Sequence, residues 1–181
     1  MTSPYLWYLN RGTGVVLLVL FTLTVALGVL ATRDGQGPTW WPRFLHQGLH
    51  RHLSLLSTLV LAAHVVVAVV DEYVDIRWVD ALVPGIGSYR TAYLALGTVA
   101  LDLTAIVVAT SLARSRLPEQ LWRTVHVLTY AGWLASVGHT VGIGTDMGST
   151  WMRWLLAGCV GIVVFALSTR LVGRRLAPSR S

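Results

Sequence analysis

The six histidines of this chain lie in or beside two apolar stretches, and the spacing of four of them indicates that they work in pairs. His50 and His64 are 14 residues apart, whereas His126 and His139 are 13 residues apart. On α-helices these separations correspond to rises of about 21 Å and about 20 Å. If both helices run in the same direction, His50 lies level with His126, and His64 lies level with His139.

Two imidazoles that face each other from neighbouring helices can provide both axial ligands of a haem iron. Ionisable side chains inside a membrane are costly and usually functional, although a single histidine serves equally well as a hydrogen bonder between helices. Two matched pairs favour the ligand role. The spacing therefore predicts two b-type haems about 20 Å apart, which would divide a hydrocarbon core of roughly 30 Å into short electron-transfer steps. Because bis-imidazole ligation fills both axial positions, it suits electron transfer rather than substrate binding.

Ideal helical winding supports the first spacing better than the second. Fourteen residues at about 100° each return His64 to within about 40° of His50. Thirteen residues leave His139 about 140° away from His126. Either the second helix departs from ideal winding, or His139 approaches a haem from another angle. Three glycines in that segment are candidate sites of a distortion: Gly132, Gly138 and Gly142.

His52 and His46 compete with His50 for the ligand role. His52 lies 12 residues from His64, which gives a similar rise but about 120° of rotation. His46 lies on the same face as His64 but about 27 Å away, a span that does not match the partner helix. We expect His50 to be the ligand, with His52 as the substitute. The alternative role of His46 and His52 is that of polar residues at the membrane boundary.

The histidines belong to a strongly apolar chain. Hydrophobic residues make up 54% and charged residues 12%, about half the charged share of a soluble domain. Each of five apolar stretches can cross a core of roughly 30 Å, and each must be helical because lipid leaves no backbone polar group a partner. The sequence predicts an all-α membrane bundle of about five transmembrane helices that forms one domain over residues 1–181. The stretches cover roughly 14–31, 44–70, 91–113, 121–141 and 151–171.

Charged residues alternate between the connecting segments. The net charge of +6 comes from fourteen arginines and no lysine. Basic loops mark the cytoplasmic side, so we expect the N-terminus outside, the C-terminus in the cytoplasm and the chain in the plasma membrane. Membrane orientation also explains the positive charge better than a nucleic-acid partner does. The basic group is Arg33, Arg43, Arg51, Arg114, Arg116, Arg123, Arg170, Arg174, Arg175 and Arg180, and the acidic loop holds Asp71, Glu72, Asp75 and Asp80.

Several segments resemble the ferric reductase-like transmembrane family. This family includes the membrane portions of NADPH oxidases and ferric reductases, and the haem subunit of bacterial methionine sulfoxide reductase systems. The similarity covers most of the chain and implies two stacked b haems held by His50, His64, His126 and His139. The similar segments read LWYLNRGTG, HRHLSLLSTLVLAAH, ATSLARSRLPEQLWRTVH and HVLTYAGWLASVGH.

The same resemblance implies partners for the chain. Family oxidases and reductases carry a cytoplasmic flavin and nicotinamide domain, and many members have six helices rather than five. Because no such domain follows the fifth stretch in this sequence, we expect a separate flavoprotein or a membrane quinol as the electron donor. The expected acceptor is an extracytoplasmic protein or ferric iron. The chain would then be the membrane subunit of an oxidoreductase.

Other residues near the histidines have two interpretations each. Arg51 and Arg123 are expected near the inner haem, where a guanidinium can pair with a propionate, although orientation by positive charge explains them equally well. Trp122 could pack on a porphyrin, but ordinary packing is the commoner role of such an aromatic residue. Asp102, near the middle of the third stretch, could relay protons or be a buried, protonated carboxyl. It is not assigned to the cofactor set.

Two alternatives to the diheme hypothesis remain open. The first is a quinol-linked cytochrome with one haem and a quinone pocket in place of the second. The other is a non-redox transporter or assembly subunit whose histidines bind a metal or carry protons. Pro84 and Pro118 fall in loops rather than in broken helices, which counts mildly against a transporter. No phosphate-binding loop, CxxC pair or nucleophile elbow points to a soluble enzyme.

Overall fold

The computed structural model describes residues 4–31, 43–71 and 73–176, and within these ranges the chain is helical and contains no strand. The predicted all-α class is therefore confirmed for this part of the chain. Two 3₁₀ turns, Arg114–Arg116 and Thr145–Gly148, connect longer helices. The helices are α1 (Pro4–Ala31), α2 (Arg43–Val70), α3 (Trp78–Leu82), α4 (Thr91–Leu112), α5 (Glu119–His126), α6 (Leu128–Ile143) and α7 (Thr150–Leu176).

Four of the described helices are long and apolar enough to cross a membrane: α1, α2, α4 and α7. Their outward faces carry large apolar side chains, such as Leu59 on α2 and Phe165 on α7, which are 69% and 68% exposed. Such exposure is costly in water but normal for a helix in contact with lipid, so the pattern agrees with a membrane protein.

The stretch predicted as a single helix over 121–141 is divided in the structure. Helix α5 ends at His126, and α6 begins at Leu128. Val127 between them keeps a right-handed helical backbone, with φ −64° and ψ −23°. Its carbonyl accepts from the amide of Tyr130 at 3.1 Å, a bond that spans three residues instead of four. Helix α6 has 16 residues, fewer than the roughly 20 of a typical spanning helix.

Helix α1 is the central helix of the packing, because it contacts α2, α6 and α7. One apolar core joins Val29 of α1 to Trp133 of α6 and Val163 of α7. Beside this core the indole N–H of Trp133 donates to Oγ1 of the buried Thr22 at 3.1 Å. A second cluster joins α1 to α7 and buries Cys159. Side chains on three helices thus fix the positions of α1, α6 and α7.

Helix α2 is covered on one side only. In the described residues it packs along α1 and touches α3, and it makes no comparable contact with α4, α5 or α6. On the other side of the molecule, α4 packs along α6 and also contacts α5 and α3. The bundle therefore consists of one hairpin, α1–α2, and one helix pair, α4–α6. Helix α1 joins the two and also carries α7.

The end of the bundle that carries the start of α1 is held by ion pairs. Arg11 pairs with Asp146, which follows α6. Arg77 pairs with Asp80 at 2.8 Å, and this guanidinium holds the pKa of Asp80 below its usual value. Arg90, whose backbone is left-handed with φ 38°, donates to the carbonyl oxygen of Gly142 at the end of α6. The contact from Arg90 joins the start of α4 to the end of α6, and the contact from Arg11 joins α1 to the turn after α6.

The opposite end is basic, as the sequence predicts. Arg114 and Arg116 are exposed in the turn after α4, and Arg51 is exposed near the start of α2. Arg33, Glu72 and Arg180 lie outside the described residues, and the side chains of Arg43, Arg174 and Arg175 lie outside them as well.

Replacement of the buried hydroxyl between α1 and α6 tests this packing. Thr22→Val keeps the shape of the side chain but removes the acceptor of the Trp133 N–H. We expect a loss of about 1 kcal/mol in the free energy of unfolding, because a buried donor loses its partner. The measurement is the midpoint of detergent-induced unfolding. Thr110→Val is the matched control, since that hydroxyl bonds only carbonyls of its own helix. Equal midpoints for the two variants would contradict the assigned role of Thr22.

Candidate functional site

The four histidines of the predicted set lie on the α1–α2 hairpin and on the α4–α6 side of the bundle. The ring centroids of His50 and His126 are 6.2 Å apart, and the ring planes make an angle of 65°. His64 lies against Gly14 of α1, and His139 lies against Gly97 of α4. The structure thus brings His50 and His126 together, as the helical rise predicts.

The two imidazoles of α2 are anchored on α1. Nδ1 of His50 lies 3.0 Å from the carbonyl oxygen of Thr24. A carbonyl oxygen can only accept, so Nδ1 carries the hydrogen and donates it. Nδ1 of His64 lies 3.0 Å from Oγ1 of Thr13, a hydroxyl that can itself donate to the carbonyls of Leu9 and Asn10. In both rings Nε2 is left as the nitrogen with a free lone pair.

His139 is anchored in the same way, but on α4. Its Nδ1 donates to the carbonyl oxygen of Tyr93 at 2.9 Å. Three of the four rings therefore have an acceptor on the neighbouring helix. Histidines that bind metals usually donate their second ring N–H to a carbonyl or carboxylate, which fixes the tautomer and the orientation of the ring. The carbonyl contacts fix the tautomer and the orientation of the His50 and His139 rings.

Glycines make room for the same three rings. A Cβ atom on Gly28 would lie 3.3 Å from Cε1 of His50, and one on Gly14 would lie 3.3 Å from Cε1 of His64. On α4, a Cβ atom on Gly97 would lie 2.5 Å from Nδ1 of His139. Small residues allow close helix approach in membranes. Here they allow an imidazole to lie against the backbone of the next helix.

Sequence reasoning missed these glycines, although a signal was present. Gly14 and Gly28 are 14 residues apart, the same separation as His50 and His64. Fourteen residues bring a helix back to nearly the same face. In an antiparallel hairpin, two glycines at this spacing therefore lie opposite two histidines at the same spacing.

The fourth stretch is divided between His126 and His139, so the angle calculated for one ideal helix does not apply to these two residues. The offset of about 140° applies to one continuous helix, whereas the interruption at Val127 falls between His126 and His139. The predicted departure from ideal winding is present, but at Val127 rather than at the three glycines. Those glycines accept close packing from α4 instead: Gly132 faces Leu103, Gly138 faces Leu96 and Gly142 faces Tyr93.

His126 is held differently from the other three rings. Its Nδ1 is buried and has no hydrogen-bond partner among the described residues. The ring of Trp122, one turn earlier on α5, stacks on it with centroids 4.9 Å apart and an interplanar angle of 27°. The guanidinium carbon of Arg114 lies 4.2 Å from the centroid of the Trp122 ring, on the other side of the connection. A row of three side chains thus leads from the basic end to His126.

The remaining predicted residues lie farther from the rings. Arg51 is exposed, and Arg123 is exposed in an ion pair of 2.6 Å with Glu119. His52 is exposed, and its Nδ1 bonds the carbonyl of Gly48 within α2 at 2.7 Å. Asp102 is partly buried on α4. Arg114 contacts the ring of Trp122 beside His126. The sequence indicated this arginine only as a charge that orients the chain in the membrane.

The described residues contain no group of three or more histidine, cysteine or carboxylate side chains that could hold a metal ion by themselves.

The sequence matches a family over residues 5–146, from the first turns of α1 to the turn after α6. This range is more than half of the chain and includes all four histidines. The chain belongs to this family, described as Domain of unknown function (DUF8596). A comparison with curated proteins found no match. In this DUF8596 chain, both hairpin glycines and all three Nδ1 acceptors also fall within the matched range.

A single methyl group on α4 tests the fit of His139. Gly→Ala within a helix ordinarily stabilises by about 1 kcal/mol. At Gly97 we expect the opposite sign, because the new Cβ would overlap the imidazole and push it from the Tyr93 carbonyl. Thermal unfolding in detergent measures the effect. Gly158→Ala on α7 is the control, since nothing lies within 4 Å of its added Cβ. A Gly97→Ala variant at least as stable as Gly158→Ala would show that the ring has room to move.

Proposed function

We propose that the chain binds two b-type haems, one between His50 and His126 and one between His64 and His139, and carries electrons across the membrane. The separation of the His50 and His126 rings carries this proposal. The centroids are 6.2 Å apart and the ring planes make an angle of 65°. His50 and His126 would hold one haem between them, and the bound haem would supply one-electron chemistry.

The tautomers support the same assignment. In His50, His64 and His139 the Nδ1 hydrogen is used, so Nε2 is free to bind iron. Each of these rings is fixed before any cofactor arrives, since its acceptor belongs to the neighbouring helix. Bound haem supplies one-electron redox chemistry, and the protein contributes the ligands, their orientation and an apolar surround.

Buried polar atoms without partners provide a second test of the fit. Three of them belong to residues of the two sites: Oδ1 of Asn10, Oγ1 of Thr24 and Nε1 of Trp122. Buried polar groups in folded proteins are nearly always paired. Their concentration beside the four rings, where α2 lacks contacts with α4 and α6, supports a polar cofactor that is bound there.

The same proposal includes a membrane topology. Five crossings are formed if α5 and α6 together make the fourth, with the N-terminus outside and the C-terminus in the cytoplasm. The end with Arg51, Arg114 and Arg116 then faces the cytoplasm, as the positive-inside rule requires. His50 and His126 become the inner pair, and His64 and His139 the outer pair. The expected location is the plasma membrane.

We also propose that the chain is related to the ferric reductase-like transmembrane proteins and acts as the membrane subunit of an oxidoreductase. The paired spacings of the histidines are the support. The donor would be a separate flavoprotein or a membrane quinol on the cytoplasmic side. The acceptor would be an extracytoplasmic protein or ferric iron. Arg51 and Arg123, at the basic end, remain the proposed partners of the propionates of the inner haem.

Single substitutions of the histidines test the two sites separately. The purified protein is expected to bind two haems per chain by the pyridine haemochrome assay. His50→Ala and His64→Ala should each lower this ratio to about one, because each removes one axial ligand of one site. His52→Ala, two residues from His50 but exposed and bonded within its own helix, should retain both haems.

The outcomes separate the alternatives. A wild-type ratio of one that His64→Ala leaves unchanged would favour a single haem with a quinone pocket. Protein that takes up zinc and no haem would favour a non-redox metal site. Loss of haem in His52→Ala but not in His50→Ala would reverse the choice of ligand.

Proteoliposomes test whether the protein carries electrons across a membrane, regardless of the direction of the flow. With ferricyanide inside the vesicles and dithionite outside, the wild-type protein should speed the bleaching of ferricyanide at least tenfold over empty vesicles. His64→Ala should abolish the gain, because one of two consecutive steps is lost, whereas His52→Ala should keep it. Equal rates for wild type and His64→Ala would exclude a path through both sites.

A further inference from the structure

His126 is the exception among the four rings, and the difference lies at its Nδ1 atom. In the other three rings Nδ1 lies 2.9–3.0 Å from an oxygen of the adjacent helix, a carbonyl oxygen for His50 and His139 and the Thr13 hydroxyl for His64. The Nδ1 atom of His126 is buried but has no hydrogen-bond partner in the described residues. No glycine cradle of α1 or α4 lies against this ring either, since the three cradles hold the other three rings. Some other contact must therefore fix its orientation.

The contact is an aromatic and cationic column made by Arg114, Trp122 and His126. Trp122 and His126 are four residues apart on α5, so their side chains lie on the same face. Their rings stack nearly parallel, at 27° and 4.9 Å. The guanidinium of Arg114 covers the Trp122 ring at 4.2 Å, within the range of a cation–π contact.

We propose that Arg114 and Trp122 are positioning residues for His126, and that the charge of Arg114 raises the reduction potential of the haem at His50 and His126. This inference rests on the proposed function, because it concerns the properties of the haems assigned there. It adds a functional difference between two sites that the spacing of the histidines alone would make equivalent.

Two effects act in the same direction. A hydrogen bond from Nδ1 to a good acceptor makes an imidazole a stronger donor to iron and stabilises the oxidised state. His50 and His139 each make such a bond to a carbonyl oxygen, whereas Nδ1 of His126 makes none among the described residues. A fixed positive charge disfavours oxidised iron, which carries one more positive charge than reduced iron. Arg114 lies at the His126 site, and its contacts do not extend to the other pair.

Potentiometric titration of the purified diheme protein tests the proposal. The wild type should show two steps, and the single-haem variant His64→Ala should retain the step of the haem at His50 and His126. Arg114→Gln should shift that step to lower potential and leave the other unchanged. Arg116→Gln is the matched control, because it removes an exposed arginine from the same 3₁₀ turn. Arg114→Lys keeps the charge, so its step should lie close to the wild-type potential.

A spectroscopic measurement separates positioning from charge. Trp122→Leu removes the stacked ring and should change the low-spin electron paramagnetic resonance signal of one haem, while Trp122→Phe should preserve it. Identical potentials in Arg114→Gln and Arg116→Gln, with both haems bound, would overturn this inference and leave the proposed function intact. Absence of haem from the wild-type protein would overturn the proposed function itself.

Discussion

A polar ring nitrogen that enters an apolar bundle must find a partner there, because lipid offers none. This requirement explains the arrangement of the helices around His50, His64 and His139. Helix α1 supplies acceptors to both rings of α2, and α4 supplies one to His139 of α6. The acceptors are close only because Gly14, Gly28 and Gly97 let the rings approach. Pairing of α1 with α2 and of α4 with α6 is thus a condition for burying the imidazoles at all.

The membrane class and the pairing of the histidines could be predicted because both depend on simple periodicities. Hydropathy over about 20 residues identifies spanning segments, and a rise of 1.5 Å per residue places side chains in depth. The Nδ1 acceptors could not be predicted in the same way. Two of them are main-chain carbonyls, at Thr24 and Tyr93, and every residue has such a group. Only the fold determines which carbonyl faces an imidazole.

The interruption at Val127 was invisible for a related reason. The sequence around it contains neither proline nor glycine, and the glycines that seemed able to distort the helix lie farther on and serve packing against α4. The choice among the arginines is similar. Arg123 lies closer to His126 in sequence, but on α5 it points to Glu119. Arg114 reaches the site from the 3₁₀ turn that follows α4, and a turn of this kind leaves no periodic signal.

The equal spacing of glycines on α1 and histidines on α2 makes this hairpin sensitive to length. One residue inserted between Gly14 and Gly28 alone would rotate one glycine by about 100° relative to the other. One imidazole would then face a side chain instead of a cradle. Compensation would need an insertion in α2 at the matching level, between His50 and His64. We therefore expect changes in chain length to be tolerated in the connections between helices. Within these two segments, the number of residues between the glycines must equal the number between the histidines.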